Sequence, residues 1–239
     1  MSTAVGSRPS LYSTSVGKKY AMAISGMVLM AFVLAHMVGN LKIYLGASSL
    51  DRYSHWLRQV GEPALPEQTL LWAVRIVLIV ALVVHLHAAY ALTQMNRRAR
   101  PVKYASKRDF AAADFASRTM RWTGIIVLLF LFWHLADLTW GFAFANPDFV
   151  RGEAYQNVAY SLDRWPVALI YIVGNLALGF HLYHGTWSIF QSVGSMSPRF
   201  NPRHNPMRRG FAAGFAILVA GVNVLFPIMV LAGVVSVPS

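Results

Sequence analysis

Five long apolar runs, separated by polar or basic segments, constrain this chain more than any other feature of its sequence. Each run is about 25 residues long, which is enough to cross the hydrocarbon core of a bilayer with some tilt. Hydrophobic residues make up 56% of the chain and charged residues only 13%. The sequence therefore predicts an all-α membrane protein with five spanning helices at about 20–44, 69–95, 119–144, 165–191 and 209–235.

The remaining segments organise the chain around these helices. Residues 1–19 are small and polar and form a predicted N-terminal segment, and we expect no cleavable signal peptide there. Residues 20–235 form one predicted transmembrane domain, in which the polar loop after the first helix is expected to hold a short helix near 50–60. The chain has no cysteine, which excludes disulfides, thiolate-held iron–sulfur clusters in this chain and c-type haem attachment.

Lysine and arginine are distributed unevenly over the two sides of the predicted membrane. The N-terminal segment and the second and fourth loops carry 15 of the 21 basic residues. This asymmetry places the N-terminus and these loops in the cytoplasm and the C-terminus outside. Cytoplasmic loops also explain the net charge of +12, so membrane lipids are an expected partner and nucleic acid is not.

A histidine lies deep in each of the first four apolar runs: His36, His87, His134 and His181. An imidazole is costly in hydrocarbon and needs a reason. With a rise of about 1.5 Å per residue, His36 and His134 lie roughly 24 and 22 Å from the inner ends of their helices, whereas His87 and His181 lie roughly 14 Å from theirs. Each level then holds two histidines on two helices, as bis-imidazole ligation of a haem requires. The spacing favours two haem sites over hydrogen-bonded packing or a proton relay.

Spacing alone leaves several residues open. His85 is two positions from His87 and points nearly opposite on a helix, so only one of the two can face the bundle. His184 is one turn from His181 on roughly the same face and could be the ligand in its place. Glycines in these helices favour ordinary close packing, although some could face a haem: Gly26, Gly39, Gly124, Gly174, Gly179 and Gly185.

Four stretches around the histidines carry a resemblance to a known family. They are L-A-H-M-V-G-N around His36, H-A-A-Y-A-L from His87, R-W-T-G-I-I-V-L-L-F-L-F-W-H ending at His134, and Y-I-V-G-N-L-A-L-G-F-H-L-Y-H-G-T-W-S from Tyr171. With them, residues 18–235 resemble the cytochrome b subunit of succinate dehydrogenases and fumarate reductases, in the form with one five-helix anchor and two b haems. The resemblance implies a four-helix haem-binding bundle plus a fifth helix, in a bacterial inner membrane.

The resemblance also selects among the open residues. It implies His36 with His134 as ligands of an outer haem b, and His87 with His181 as ligands of an inner haem b, in preference to the neighbouring histidines. It implies no dicarboxylate site in this chain, because a flavoprotein and an iron–sulfur subunit on the cytoplasmic face carry that chemistry. The basic loops are the implied docking platform, and a higher oligomer is compatible with the family. Electrons would pass from the inner to the outer haem and reduce a quinone, menaquinone in this type.

Quinone reduction takes up protons, so a titratable group is expected near the outer haem. The candidates are Asp137, one turn past His134, together with His55 and Glu62 in the first outer loop. Trp133 could pack on the quinone ring. Asp137 could equally be an interface residue, and loop carboxylates are usually only solvated.

One position departs from the family pattern. Some members with two haems carry a glutamate two residues before the ligand on the fourth helix, where it serves transmembrane proton transfer. Gly179 occupies that position here, which puts such a proton path in doubt.

Two other functions remain as alternatives. The anchor cytochrome b of a nitrate reductase or hydrogenase also reacts with quinone, but such anchors tend to place two ligands on one helix. A transporter with a histidine relay predicts no haem and no soluble partner subunit.

Overall fold

Seven α-helices make up most of the computed structural model, which describes residues 11–99, 111–194 and 206–237, with the backbone alone for 111–118 and 191–194. They are α1 (Ser15–Asn40), α2 (Ala47–Gln59), α3 (Thr69–Arg98), α4 (Ala111–Leu135), α5 (Ala154–Asp163), α6 (Trp165–Gly194) and α7 (Pro206–Leu231). Five of them, α1, α3, α4, α6 and α7, are long and apolar enough to cross a membrane. The predicted all-α membrane protein with five spanning helices is confirmed.

Local sequence explains where several helices begin and end. The hydroxyl of Thr14 caps α1 by accepting from the backbone N–H of Gly17 at 3.0 Å, so α1 begins earlier than predicted. Pro206 occupies the first position of α7, where its fixed φ is favourable. The helix expected near 50–60 is α2, and α5 is an additional helix in a segment that was predicted to be a loop.

The spanning helices are arranged as two pairs. Helix α1 packs mainly against α3, and α4 packs against α6. Contacts of α1 with α6 join the two pairs, and α7 packs on α6 and also reaches α1. The four helices with the predicted haem ligands therefore form one bundle, which α7 supports from the side of α6.

A cap covers the end of the bundle where α1 and α4 finish, which is the predicted outer end. It consists of α2 and α5, which pack on each other, and α5 also contacts α6 and α7. The carboxylate of Asp51 on α2 accepts from the backbone N–H of Tyr155 at 2.9 Å, which satisfies the first turn of α5. Tyr155 in turn donates to the carbonyl of Ser236 at 2.8 Å, so the chain end after α7 is fixed to the same cap.

A short π-helical turn, Ala136–Trp140, follows α4 and turns the chain into this cap. Gly141 ends it with a φ of +64°, a conformation that glycine adopts without strain. The backbone N–H of Phe142 then donates back to the carbonyl of Ala136 at 2.9 Å. As a result, Asp137 points into the protein at the outer end of α4 and is completely buried.

Candidate functional site

The rings of the two histidines in the predicted outer pair are in contact. The ring centres of His36 on α1 and His134 on α4 are 5.8 Å apart, with an interplanar angle of 82°. Phe32 stacks on His36 at 5.4 Å, and Phe130 lies 6.0 Å from the ring of His134. Aromatic side chains one turn earlier on each helix thus hold the two imidazoles towards each other.

The inner pair consists of His181 and His85. Their ring centres are 6.3 Å apart, with an interplanar angle of 71°. The Nδ1 atom of His85 lies 3.2 Å from the carbonyl oxygen of Met22 and 3.4 Å from the hydroxyl of Ser25. Helix α1 therefore orients the imidazole that α3 presents to α6.

His87 is on the opposite side of α3 from this pair, because residues two positions apart on a helix point in nearly opposite directions. Its Nδ1 atom is 2.6 Å from the hydroxyl of Tyr12, the two rings stack at 5.7 Å, and the side chain is exposed. Only one of the two histidines faces the bundle, as expected, but it is His85. The pairing of His87 with His181 that the resemblance implied is not the pairing that the structure has.

His184 stays outside the inner pair. Its side chain is buried, with 7% of its surface exposed, and its Nε2 atom lies 3.2 Å from the hydroxyl of Thr119 on α4. His181, one turn earlier, is the residue that reaches His85. The choice of His181 over His184 therefore agrees with the geometry.

Two glycines lie against the inner imidazoles. A Cβ atom on Gly26 of α1 would lie 3.3 Å from Cε1 of His85, and one on Gly124 of α4 would lie 3.3 Å from Cε1 of His181. Ten residues after each glycine comes a histidine of the outer pair, so the two levels are separated by about 15 Å along both helices. Gly39, Gly174 and Gly179 instead face Tyr53, Phe130 and Ala220, as ordinary helix packing requires.

Each pair brings two imidazoles from different helices to a ring-centre separation of 5.8 or 6.3 Å. These four residues would be the ones to hold two haem irons, each of which would supply a one-electron carrier. Part of His36 remains exposed although its ring faces His134. In the described parts of the chain, no group of three His, Asp or Glu side chains could hold a metal ion.

A buried polar cluster lies directly above the outer pair. The carboxylate of Asp137 accepts from the hydroxyl of Ser161 on α5, at 2.6 and 2.8 Å to its two oxygens. It also accepts from the hydroxyl of Tyr171 on α6 at 2.6 Å. Arg164, between α5 and α6, lies 3.7 Å from Oδ1 of Asp137 and donates to the carbonyl of Ala145 at 2.7 Å. Three elements thus converge on one carboxylate.

Tyr171 joins this cluster to the outer pair, because its hydroxyl is also 3.3 Å from Nδ1 of His134. Sequence reasoning missed Tyr171, although a signal for it was present. Ten residues separate the two levels on α1 and α4, and the same spacing counted back from His181 on α6 ends at Tyr171.

The four predicted quinone-site residues separate into two groups. Asp137 and Trp133 lie beside the outer pair, where the indole Nε1 of Trp133 is buried without a hydrogen-bond partner among the described residues. His55, on α2, and Glu62, in the turn after it, are exposed. The structure brings Asp137 and Trp133 to one region and leaves the other two on the surface of the cap.

Comparison of the chain with protein-family models, with curated proteins and with solved structures gave no match.

Proposed function

We propose that this chain is the dihaem membrane-anchor subunit of a succinate:quinone oxidoreductase in a bacterial inner membrane. In this role it passes electrons from an iron–sulfur subunit through an inner and then an outer haem b to a quinone, menaquinone in this type. The observation that carries the proposal is the arrangement of two histidine pairs, at two levels, each joining two different spanning helices. Anchors that place two ligands on one helix fit this arrangement less well.

The residues that would hold the two haems follow from the pairs. His36 and His134 are the proposed ligands of the outer haem. His85 and His181 are the proposed ligands of the inner haem, with His85 in place of His87 because its ring faces His181. A haem held between two imidazoles supplies a one-electron carrier.

Gly26 and Gly124 support this assignment from the opposite helices. Neither places a side chain against the inner imidazoles, so each helix backbone can approach the ring of a proposed ligand closely. Met22 and Ser25 contact Nδ1 of His85, and such contacts orient a ligating ring and leave its other nitrogen for the metal.

The cytoplasmic partner subunits are proposed from charge and from the resemblance. Arg97 and Arg98 end α3 on the predicted cytoplasmic side, and they begin one of the two basic loops that would dock a flavoprotein and an iron–sulfur subunit. Residues 100–110 and 195–205, which make up most of both loops, lie outside the described residues.

Quinone reduction is proposed at the outer level, next to His134. Asp137 and Trp133 are the predicted residues that lie there. The buried indole N–H of Trp133 is a hydrogen-bond donor without a partner among the described residues. Asp137 is fully buried and engaged by Ser161 and Tyr171, so we assign it a supporting role and not direct contact with the quinone.

The proposal is tested by a reduced-minus-oxidised spectrum of the protein purified from membranes, with haem quantified per chain. We expect two b haems, and the absence of haem would favour a histidine-relay transporter. Reduction of both haems by succinate in membranes distinguishes the proposed complex from nitrate reductase or hydrogenase anchors, for which succinate would leave the haems oxidised.

A second experiment tests the ligand assignment. His85→Ala should abolish the inner haem and leave the outer haem bound, whereas His87→Ala should leave both haems bound. The reverse pattern would restore His87 as the ligand and contradict the pairing of His85 with His181.

A further inference from the structure

The outer pair has a chain of two polar contacts behind it. Nδ1 of His134 is 3.3 Å from the hydroxyl of Tyr171, and that hydroxyl donates to Oδ2 of Asp137 at 2.6 Å. A phenolic hydroxyl has one proton to donate, so with the imidazole N–H at Nδ1 the oxygen of Tyr171 accepts from His134 while its hydroxyl donates to Asp137. The lone pair of His134 is then on Nε2, the nitrogen that remains for a metal.

Asp137 is held as the acceptor at the end of this chain. Its side chain is 0% exposed, and the hydroxyl of Ser161 donates to it at 2.6 Å. The guanidinium of Arg164 lies 3.7 Å from its other oxygen, and that side chain is 32% exposed. The positive charge is therefore partly solvated, whereas the carboxylate lies wholly in the protein beside Tyr171.

Among the described residues, the inner pair has no such chain. There, Nδ1 of His85 contacts two neutral groups, the carbonyl of Met22 and the hydroxyl of Ser25. Nδ1 of His181 is buried without a side-chain partner among the described residues, and the backbone of Met120, which is neutral, is the group that lies beside this ring. The histidines of the two pairs therefore differ in the groups that contact their Nδ1 atoms, and they would donate electron density to a bound haem to different degrees.

We propose that Tyr171 and Asp137 are positioning residues for the outer haem, which fix the tautomer and orientation of His134 and increase its electron donation to the iron. This inference rests on the proposed function. An acceptor on the far nitrogen makes a ligating histidine more basic, and a more basic ligand stabilises oxidised iron. The chain His134–Tyr171–Asp137 therefore lowers the redox potential of the outer haem below the value that it would have without the carboxylate.

The test is a potentiometric titration of the haem spectrum in the complex purified from membranes, for the wild type and for Asp137→Asn and Tyr171→Phe. We expect both variants to keep two haems and to raise the midpoint potential of the outer haem while the inner potential stays constant. A tenfold change in the equilibrium constant of that haem corresponds to about 59 mV for a one-electron couple, and we expect a shift of at least this size for Asp137→Asn.

Two further proteins make the titration interpretable. His36→Ala, which should lack the outer haem, assigns the two components of the wild-type curve. Ser25→Ala is the matched control, because it removes a neutral hydroxyl that lies 3.4 Å from Nδ1 of His85. It should move the inner potential less than Asp137→Asn moves the outer one, and a larger inner shift would contradict the proposed difference between the pairs.

The outcomes separate the inference from the proposed function. A wild-type protein without haem overturns the proposed function itself. Two bound haems with an unchanged outer potential in both variants overturn the inference alone. If Asp137→Asn loses its outer haem, the test rests on Tyr171→Phe, which keeps the carboxylate and the aromatic ring. A raised outer potential in Tyr171→Phe then supports the inference, and an unchanged one overturns it. Loss of the outer haem from both variants would also overturn the inference, since the chain would then be a packing requirement.

Discussion

The outer and inner histidine pairs share one spacing but differ in their surroundings. Ten residues separate Gly26 from His36 on α1, and ten separate Gly124 from His134 on α4. In both helices the glycine leaves room at one level, and the histidine presents an imidazole at the other. The two helix pairs α1–α3 and α4–α6 therefore repeat the same ligand scheme.

The two halves differ in the residue that lies ten positions before the histidine of the inner pair. Ten residues before His181, α6 carries Tyr171, which contacts His134. Ten residues before His85, α3 carries Arg75, whose guanidinium stacks on Trp72 at 4.9 Å instead. The repeated part of the scaffold therefore positions the imidazoles, and the residues that are unique to one half give the two pairs different surroundings.

The largest effect is expected when one proposed ligand is removed from each level, which tests whether the two pairs are independent sites. His134→Ala should eliminate the outer haem and leave the inner haem bound, because the pairs lie about 15 Å apart along the helices and share no ligand. His181→Ala should do the opposite. Haem quantification and the split of the reduced α-band measure both effects, and loss of both haems from either variant would mean that the two levels are not independent sites.

The substitution Gly124→Val tests whether the inner site needs a residue without a side chain at this position. A Cβ atom there would already lie 3.3 Å from His181, so Gly124→Val should overpack the site at a cost of about 1–3 kcal/mol. Inner haem affinity should fall accordingly by about 5- to 150-fold, measured by haem titration of the apoprotein, while the outer site is unaffected. Gly185→Val is the control, since a Cβ atom at that position meets nothing within 4 Å, and equal losses in both variants would refute the assignment.

The fold was largely predictable from sequence because hydrophobicity is local. Apolar runs and basic loops predicted all five spanning helices without any tertiary information. The helix α5 was missed because a distant residue stabilises it: the carboxylate that accepts from the N–H of Tyr155 belongs to Asp51, on α2. No periodicity within residues 146–164 reveals a partner that is a hundred residues away.

The sequence predicted how deep each histidine lies in the membrane, but not which side of its helix the side chain faces. The spacing along each helix placed His36 and His134 at one level, and the structure brings them together. For His85 and His87 depth is nearly the same, and only the rotation of α3 decides which ring faces the bundle. That rotation is set by packing on α1, where Gly26 and Ser25 receive His85, so motif resemblance could not establish it.

Asp137→Ala should show how far the outer cluster also supports folding. The change leaves the hydroxyls of Ser161 and Tyr171 without their acceptor and removes the charge beside Arg164. Unsatisfied buried groups of this kind cost about 1–3 kcal/mol each, although Arg164 is partly exposed and contributes less. We expect a clearly lower thermal midpoint in detergent, with a smaller decrease for Asp137→Asn. An unchanged midpoint for Asp137→Ala would mean that the cluster contributes nothing to stability.

The smallest effect is expected at the contact that occupies His87. Tyr12→Phe removes the hydroxyl that lies 2.6 Å from Nδ1 of His87, but both side chains are exposed, so the loss should be about 1 kcal/mol or less. His87 lies on the opposite face of α3 from the inner pair, and the variant should therefore keep both haems with unchanged spectra and a thermal midpoint close to that of the wild type. A shifted inner-haem band in Tyr12→Phe would mean that this hydroxyl acts on a ligand. His87 would then belong to the inner site, and the two levels would differ in their ligands as well as in the groups behind them.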